Sequence, residues 1–298
     1  MKKAFILIRR NILLFFKDKG MFFTSLITPA ILLILYATFL ANIYKNSFLS
    51  VLPDSFSLPD DLLQSLVSGQ LVSSILAVSC VTVAFCSNFL MVQDKASGTI
   101  MDLKISPVKS SVLSLSYYVA AIISTLIICL VATGICLVYI AATGWYLSFS
   151  DVLCLVADVV LLVLFGTALS SVVNFFLSSQ GQISAVGAIV SAGYGFICGA
   201  YMPISSFGDG LKNAVSFLPG TYATSLIRNH SLNGVFAEIG NLGVPEEFID
   251  RLKDSIDCNL SFFNTPVSIS AMYLILAASI LLLVLLFILI NALRRNPR

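Results

Sequence analysis

Six stretches of this chain run for about 20 residues or more with almost no charge, and few folds can accommodate them. They are Met21 to Tyr44, Leu66 to Val92, Val112 to Ala142, Val152 to Leu177, Ile183 to Met202, and Pro266 to Leu293. A bilayer core of about 30 Å is crossed by a helix of about 20 apolar residues. Lipid offers no partner to an open backbone, so blocks of this kind are predicted to be helices. The chain is 58% hydrophobic and 11% charged, whereas soluble domains carry about 25% charged residues. A water-soluble domain is thereby excluded, and an all-α membrane protein with six transmembrane helices is expected.

Composition also removes several chemistries. A formal net charge of +2, without a basic run interleaved with aromatics, gives no footprint for nucleic acid. The seven Cys fall at 80, 86, 129, 136, 154, 198 and 258, with no CxxC pair, so neither a disulfide framework nor a zinc site is expected. One histidine, His230, rules out multi-histidine metal clusters, and neither a GxSxG elbow nor a GxxxxGK[ST] phosphate loop occurs. The chain is therefore not expected to be an enzyme or to hold a cofactor.

Basic residues set the orientation. Residues 1–20 hold Lys2, Lys3, Arg9, Arg10, Lys17 and Lys19; the second inner segment holds Lys95, Lys104 and Lys109; the C-terminus holds Arg294, Arg295 and Arg298. The opposite side has Lys45, Lys212, Arg228, Arg251 and Lys253, together with Glu238, Glu246 and Glu247. The positive-inside rule puts both termini in the cytoplasm. A cleaved signal peptide is rejected, because the first apolar block is too long, lacks a small-x-small cleavage site, and is followed by five more. Residues 1–20 read as an amphipathic interface helix, with Lys3, Arg10 and Lys17 on one face and Phe5, Ile8, Ile12 and Phe16 on another. One domain, 1–298, follows: 1–20 at the interface, 21–202 carrying helices 1 to 5, 203–265 outside, and 266–293 as helix 6.

Two segments between the spans are informative. In the inner loop from Gln93 to Ser111, Gly98 and Pro107 bracket a helical turn over Thr99 to Ser106. On the outer side, Leu211 to Leu218 and Thr221 to Asn229 are split by Pro219-Gly220, which predicts a re-entrant extracellular helical hairpin between helices 5 and 6. Pro245 then opens a short helix with Glu246 and Glu247 in its first turn and Phe248, Leu252 and Ile256 on one face. The outer loop Lys45 to Ser65, with Pro53, Pro59, Asp54, Asp60 and Asp61, carries no visible chemistry.

The basic amphipathic start, the six spans, Gly98-Thr99-x-x-x-Leu103-x-x-Ser106-Pro107-Val108 inside, and Phe217-Leu218-Pro219-Gly220-Thr221-Tyr222 followed by Arg228 outside together resemble the ABC-2 type transporter permeases. The resemblance covers essentially the whole chain. It implies a permease subunit of a bacterial ABC exporter in the cell (inner) membrane, pairing with a second copy or a paralogue and driven by separate cytoplasmic ATPase subunits that bind ATP and magnesium. By the same resemblance, Gly98, Thr99, Leu103, Ser106, Pro107 and Val108 form the ATPase-coupling segment, beside Lys3, Arg10 and Lys17. Phe217, Leu218, Pro219, Gly220, Thr221, Tyr222 and Arg228 close the outer side. Many relatives carry a Glu-rich sequence before the glycine; here Gln93-Asp94-Lys95 stands there, so a role depending on that Glu rests on Asp94 or is absent.

Other residues keep two readings. Asp158, inside the fourth span, either lines the translocation path or binds a cationic cargo, or is a structural acid with a partner. Ser184, Ala188 and Ala192, with Ser191, Gly195 and Gly199 on an adjacent stripe, serve helix packing either between subunits or within one. Asn88 and Asn174 are read as interhelical hydrogen-bonding groups, Pro29 as a bend, His230 as a solvated loop residue, and Cys258 as an extracellular free thiol, with inter-subunit pairing the alternative. The apolar spans suggest a drug, an antimicrobial peptide or another amphipathic cargo. The competing function is an ATP-independent channel or secondary transporter, which usually shows several buried ionisable residues or broken helices at the midplane; an intramembrane enzyme lacks its paired groups here.

Overall fold

In the computed structural model, which describes residues 2–51, 58–105, 108–263 and 265–293, the chain folds almost entirely into helices. Helix α1 (Lys2–Lys17) and α2 (Lys19–Leu35) meet at 68°. Asp18 makes the corner: its carboxylate accepts from the Met21 N–H at 3.1 Å and caps α2. Through Pro29, α2 continues into a π-helical turn, Tyr36–Leu40, and then α3 (Ala41–Val51). The α-helical hydrogen-bond pattern changes at the π turn, past the proline, with helical backbone on both sides of it.

Helix α4 (Asp60–Ala96) is the hub. Nearly every residue from Leu62 to Val92 is buried, because α2, α6, α7, α8 and α10 pack around it. Its many Ser, Ala, Gly and Cys residues let those neighbours approach closely, the main source of helix association where lipid removes the hydrophobic drive. Polar side chains fasten the contacts: Asn88 donates to Ser170 and Ser171 at 3.1 and 2.6 Å, and Ser87 pairs with Thr125 at 2.9 Å. After α5 (Thr99–Ile105) come α6 (Ser110–Thr143) and α7 (Phe149–Phe176), the latter opened by a reciprocal Ser148–Asp151 cap. A second such cap, Ser179 with Gln182, opens α8 (Gln180–Ile197).

A 3-10 turn (Ile204–Ser206) leads to α9 (Asp209–Val215), α10 (Pro219–Asn241) and α11 (Glu246–Ser255). An antiparallel pair of strands, β1 (Leu260–Phe262) and β2 (Thr265–Val267), then leads into α12 (Ile269–Leu293). Among the described residues, α4, α6, α7 and α12 are long and apolar enough to cross a membrane, and the bent pair α1–α2 raises the number to five. This is an all-α membrane protein.

Several sequence expectations change in detail. Helix α1 buries the line Leu7, Asn11 and Phe15 against α6, so Phe5 is exposed and Ile8, Ile12 and Phe16 are half-buried. The fifth apolar block stops being helical at Ile197, five residues before its predicted end, because the chain turns at Cys198 and Gly199. The arm after Pro219-Gly220 runs to Asn241 rather than Asn229, held in its length by packing on α4, α7 and α12. Phe248 in α11 is half-buried, and Leu252 and the residue just past the helix, Ile256, are buried as the periodicity predicts. Cys258 is a free cysteine and is buried, and His230 is part of α10 rather than a loop.

Candidate functional site

Two constellations and one groove stand out. The first is at the C-terminal end of α4. Arg10 of α1 grips the Asp94 carboxylate through both guanidinium nitrogens, at 2.7 and 3.3 Å, and the Tyr117 hydroxyl of α6 donates to Asp94 at 2.5 Å. Asp94 is buried and Arg10 half-buried. The bond to Asp94 raises the Arg10 pKa further, against the opposing effect of burial. The next residue, Lys95, donates to the carbonyls of Asn174, Phe175 and Leu177 at 3.1, 2.7 and 3.0 Å. A cation there closes the last turn of α7, where the helix dipole leaves unpaired carbonyls. Two adjacent side chains of α4 thus fasten α1, α6 and α7.

Immediately beyond, Gly98 takes φ +80°, a left-handed conformation suited to glycine at a helix end, and α5 begins at Thr99. Met101 and Ile105 on α5 are 69% and 85% exposed, Leu103 packs inward, and Val108 is half-buried against the core. Ser106 and Pro107 lie outside the described residues. Lys17 and Lys3 are exposed on α1. Gly98, Thr99, Leu103 and Asp94 therefore sit together, with Arg10 joined to them through Asp94. Lys95 and Tyr117 had no sequence signal beyond a cation and a phenol in the right helices.

The second constellation surrounds α10. Pro219 takes its first helical position, and Gly220 passes close to the Tyr194 hydroxyl, 2.6 Å from where a Cβ would lie. The Thr221 hydroxyl donates to the Val215 carbonyl at 3.0 Å and the Tyr222 hydroxyl to Ser216 at 2.5 Å, tying α10 back to α9. Phe217 is exposed and packs edge-on against Phe262 and Phe263 of the β-hairpin, and Leu218 is exposed beside it. Arg228, fully buried, donates to the carbonyls of Ile256 and Gly199 and pairs with Asp257 at 3.4 Å. Asp257 also accepts the N–H groups of Ile204 and Ser205 at 2.6 and 2.9 Å. Burial pushes its carboxyl up, opposed by Arg228 and those donors.

Two residues on from Arg228, the His230 ring meets Asp158 of α7 at 2.6 Å, and Tyr273 of α12 donates to the other Asp158 oxygen at 2.6 Å. Asn233 donates to Asp151 at 2.8 Å. Burial works to lower the His230 pKa, but the bond to Asp158 and the charges of Asp158 and Asp151 outweigh it and leave it raised. Asp158 thus has two protein partners and is not among the residues lining the groove described next.

That groove, about 750 Å³, runs between α2, α3 and α8 and is mostly apolar, with Ile31, Leu35, Tyr44, Ala188, Ala192 and Phe196 in its walls. Ser184 and Ala188 continue into a second cavity of about 450 Å³ beside α2. Ser184, Ala188 and Ala192 are exposed, whereas Gly195 lies under the Tyr201 ring and Gly199 lies past the last residue of α8, both packed within the chain. Among the described residues, no group of His, Cys, Asp or Glu could hold a metal ion.

No curated protein matches this chain. The family profile of the ABC-2 type transporter matches residues 2–230, a stretch that runs from α1 to the first half of α10. The chain belongs to the ABC-2 type transporter family.

Proposed function

We propose that this chain is the permease subunit of an exporter in the bacterial cell membrane, powered by separate cytoplasmic ATPase subunits and working as a pair with a second copy or a paralogue. The observation that carries this reading is the mounting of α5. A short helix with exposed Met101 and Ile105 hangs from the end of α4, which Asp94 and Lys95 lock to α1, α6 and α7. A push on α5 is therefore delivered to four helices together, as rigid-body transmission requires. A solvated loop would dissipate it.

In this reading the six spans are α2–α3, α4, α6, α7, α8 and α12, with both termini in the cytoplasm. At 18 residues α8 covers about 27 Å, and the turn after it completes the crossing. Helices α9 and α10 form the re-entrant outer closure, held by Arg228. The groove beside α8 faces the partner permease and forms the cargo route, and its apolar walls favour a drug, an antimicrobial peptide or another amphipathic molecule. Asp158 acts through His230 and Tyr273 as a structural acid bracing that closure.

The test is co-expression with an ABC ATPase encoded beside this chain. Co-purification that is lost in Met101→Asp and Ile105→Asp supports the proposal. Vectorial transport by this chain alone, without ATP, overturns it in favour of a channel or secondary transporter.

A further inference from the structure

A cavity of about 270 Å³ lies where α9, the start of α10, the end of α11 and the β-hairpin meet, and the transport reading gives it no task. Three charged side chains line it, Lys212, Asp254 and Asp257. Asp257 is already matched: Arg228 pairs with it at 3.4 Å, and the N–H groups of Ile204 and Ser205 bond its two oxygens. Lys212 and Asp254 are not. Among the described residues neither belongs to an ion pair, so opposite charges share one small cavity without reaching each other. Asn259 Nδ2 donates to one Asp254 oxygen at 2.9 Å, which leaves the second carboxylate oxygen and the Asn259 amide oxygen as open acceptors among the described residues. Lys212 is half-buried, and a charge drawn away from water without a partner carries a cost that a ligand of opposite sign removes.

The surroundings fix the depth of this cavity. Strand β2 ends at Val267, and α12, long and apolar enough to cross a bilayer, begins at Ile269. Pro266 of β2 lines the cavity, which therefore lies at the membrane–water boundary. Ser216 and Ser261, also in its walls, are followed directly by Phe217 and Phe262. Those two rings and Phe263 pack edge to face with centroids 5.0 to 5.7 Å apart, yet Phe217, Phe262 and Phe263 stay 63%, 37% and 52% exposed. An exposed aromatic cluster at that depth is a surface for lipid.

We propose that this cavity holds the headgroup of a phospholipid with a primary ammonium, a phosphoethanolamine, while the three phenyl rings rest among its acyl chains. The phosphodiester carries one negative charge and the ammonium one positive, so the two ends meet Lys212 and Asp254 one for one. Lys212 donates to the phosphate oxygens. The ammonium donates to the open oxygens of Asp254 and Asn259, and such charge-assisted bonds are the stronger kind. A choline headgroup has no N–H to offer these acceptors, and a glycerol headgroup has no cation for the carboxylate. At about 270 Å³ the cavity falls just under the range of about 300–1,000 Å³ usual for small-molecule sites, which suits a headgroup and excludes a whole lipid. The chains are left to the exposed rings beside it.

This inference goes beyond the exporter reading and uses only the crossing of the bilayer by α12, so failed co-purification with an ATPase would leave it standing. The full chain in detergent micelles is titrated with phosphatidylethanolamine, phosphatidylcholine and phosphatidylglycerol of identical oleoyl chains, and bound lipid is counted by native mass spectrometry. Wild type is expected to bind the ethanolamine lipid roughly tenfold more tightly than the other two, about the effect of one charge-assisted hydrogen bond. Asp254→Asn removes that preference, whereas Lys212→Met weakens all three lipids together, because each has a phosphate. Should Asp254→Asn not fold, Asn259→Ala takes its place and lowers the preference about threefold. Glycerophosphoethanolamine, the same headgroup without chains, should bind at least about a hundredfold more weakly than the lipid. Equal binding of the three lipids, a preference that survives Asp254→Asn, or equal binding of the chainless headgroup, which would make this a site for a free zwitterion, overturns the proposal.

Discussion

Replacing Asp94 with Asn removes one charge and almost no volume, at the point where α1, α4 and α6 are joined. The Asp94 side chain keeps 9% exposure and that of Arg10 28%, so the pair lies between two known regimes. Exposed ion pairs contribute up to about 1 kcal/mol; breaking a fully buried one costs about 3–5 kcal/mol, because a charge is stranded. Arg10 can still reach water, which sets the expected loss at about 2 kcal/mol, or about a thirtyfold fall in the ratio of folded to unfolded chain. The measurement is SDS-induced unfolding from mixed micelles, followed by far-ultraviolet circular dichroism. A double-mutant cycle with Arg10→Gln isolates the pair, and a coupling energy of about 1–2 kcal/mol is expected. Under the proposed function, co-purification with a partner ATPase should weaken in parallel, since α5 hangs from this joint. Additive losses in the double mutant, or an unfolding midpoint unmoved by Asp94→Asn, would refute the claim that this contact fixes the mounting of α5.

Three further outcomes follow from the α10 region. The His230 pKa is raised in the fold by Asp158 and Asp151, with Tyr273 the other ionisable group at Asp158. Its stabilisation is therefore full below about pH 6.5, the unfolded value, and is lost as pH rises through the higher folded value. Unfolding midpoints should fall over that range in wild type and run flat in His230→Gln; parallel curves would remove His230 as the cause. Gly234→Ala drives a methyl into the Tyr146 carbonyl, and overpacking against backbone of this kind costs about 1–3 kcal/mol or more, read as a lowered midpoint beside an unaffected Gly208→Ala control, whose site is open. Cys258, 2% exposed, should resist a membrane-impermeant maleimide in the native chain and react once unfolded; rapid native labelling would contradict its burial.

The long elements were legible because a hydrophobic block is a direct record of a bilayer's thickness. Residues 66–92, 112–142 and 152–177 each fall inside a helix or within one residue of its end. Ends governed by specific contacts were less legible. The chain after Ile197 turns over Gly199 and is pinned by Arg228, and no periodicity in 183–202 records an arginine 29 residues ahead. The same applies to α10, whose extension to Asn241 is bought by partners on α4, α7 and α12 that a local pattern of Pro, Gly and moderate apolarity does not reveal.

Site residues divide along the same line. Gly98 and Pro219 were readable because each has a local backbone role, a left-handed helix end in one case and a first helical position in the other. Asp158 was readable as an anomaly, a carboxylate inside an apolar block, yet its partners His230 and Tyr273 are 72 and 115 residues away. Arg228 and Asp257 present the sharper contrast. A buried arginine whose charge is matched by Asp257 and whose other donors meet the carbonyls of Ile256 and Gly199 ties α10 to the chain segments on both sides of it. Breaking that pair should therefore loosen all three segments together, which lowers the unfolding midpoint by more than the loss of one exposed ion pair would.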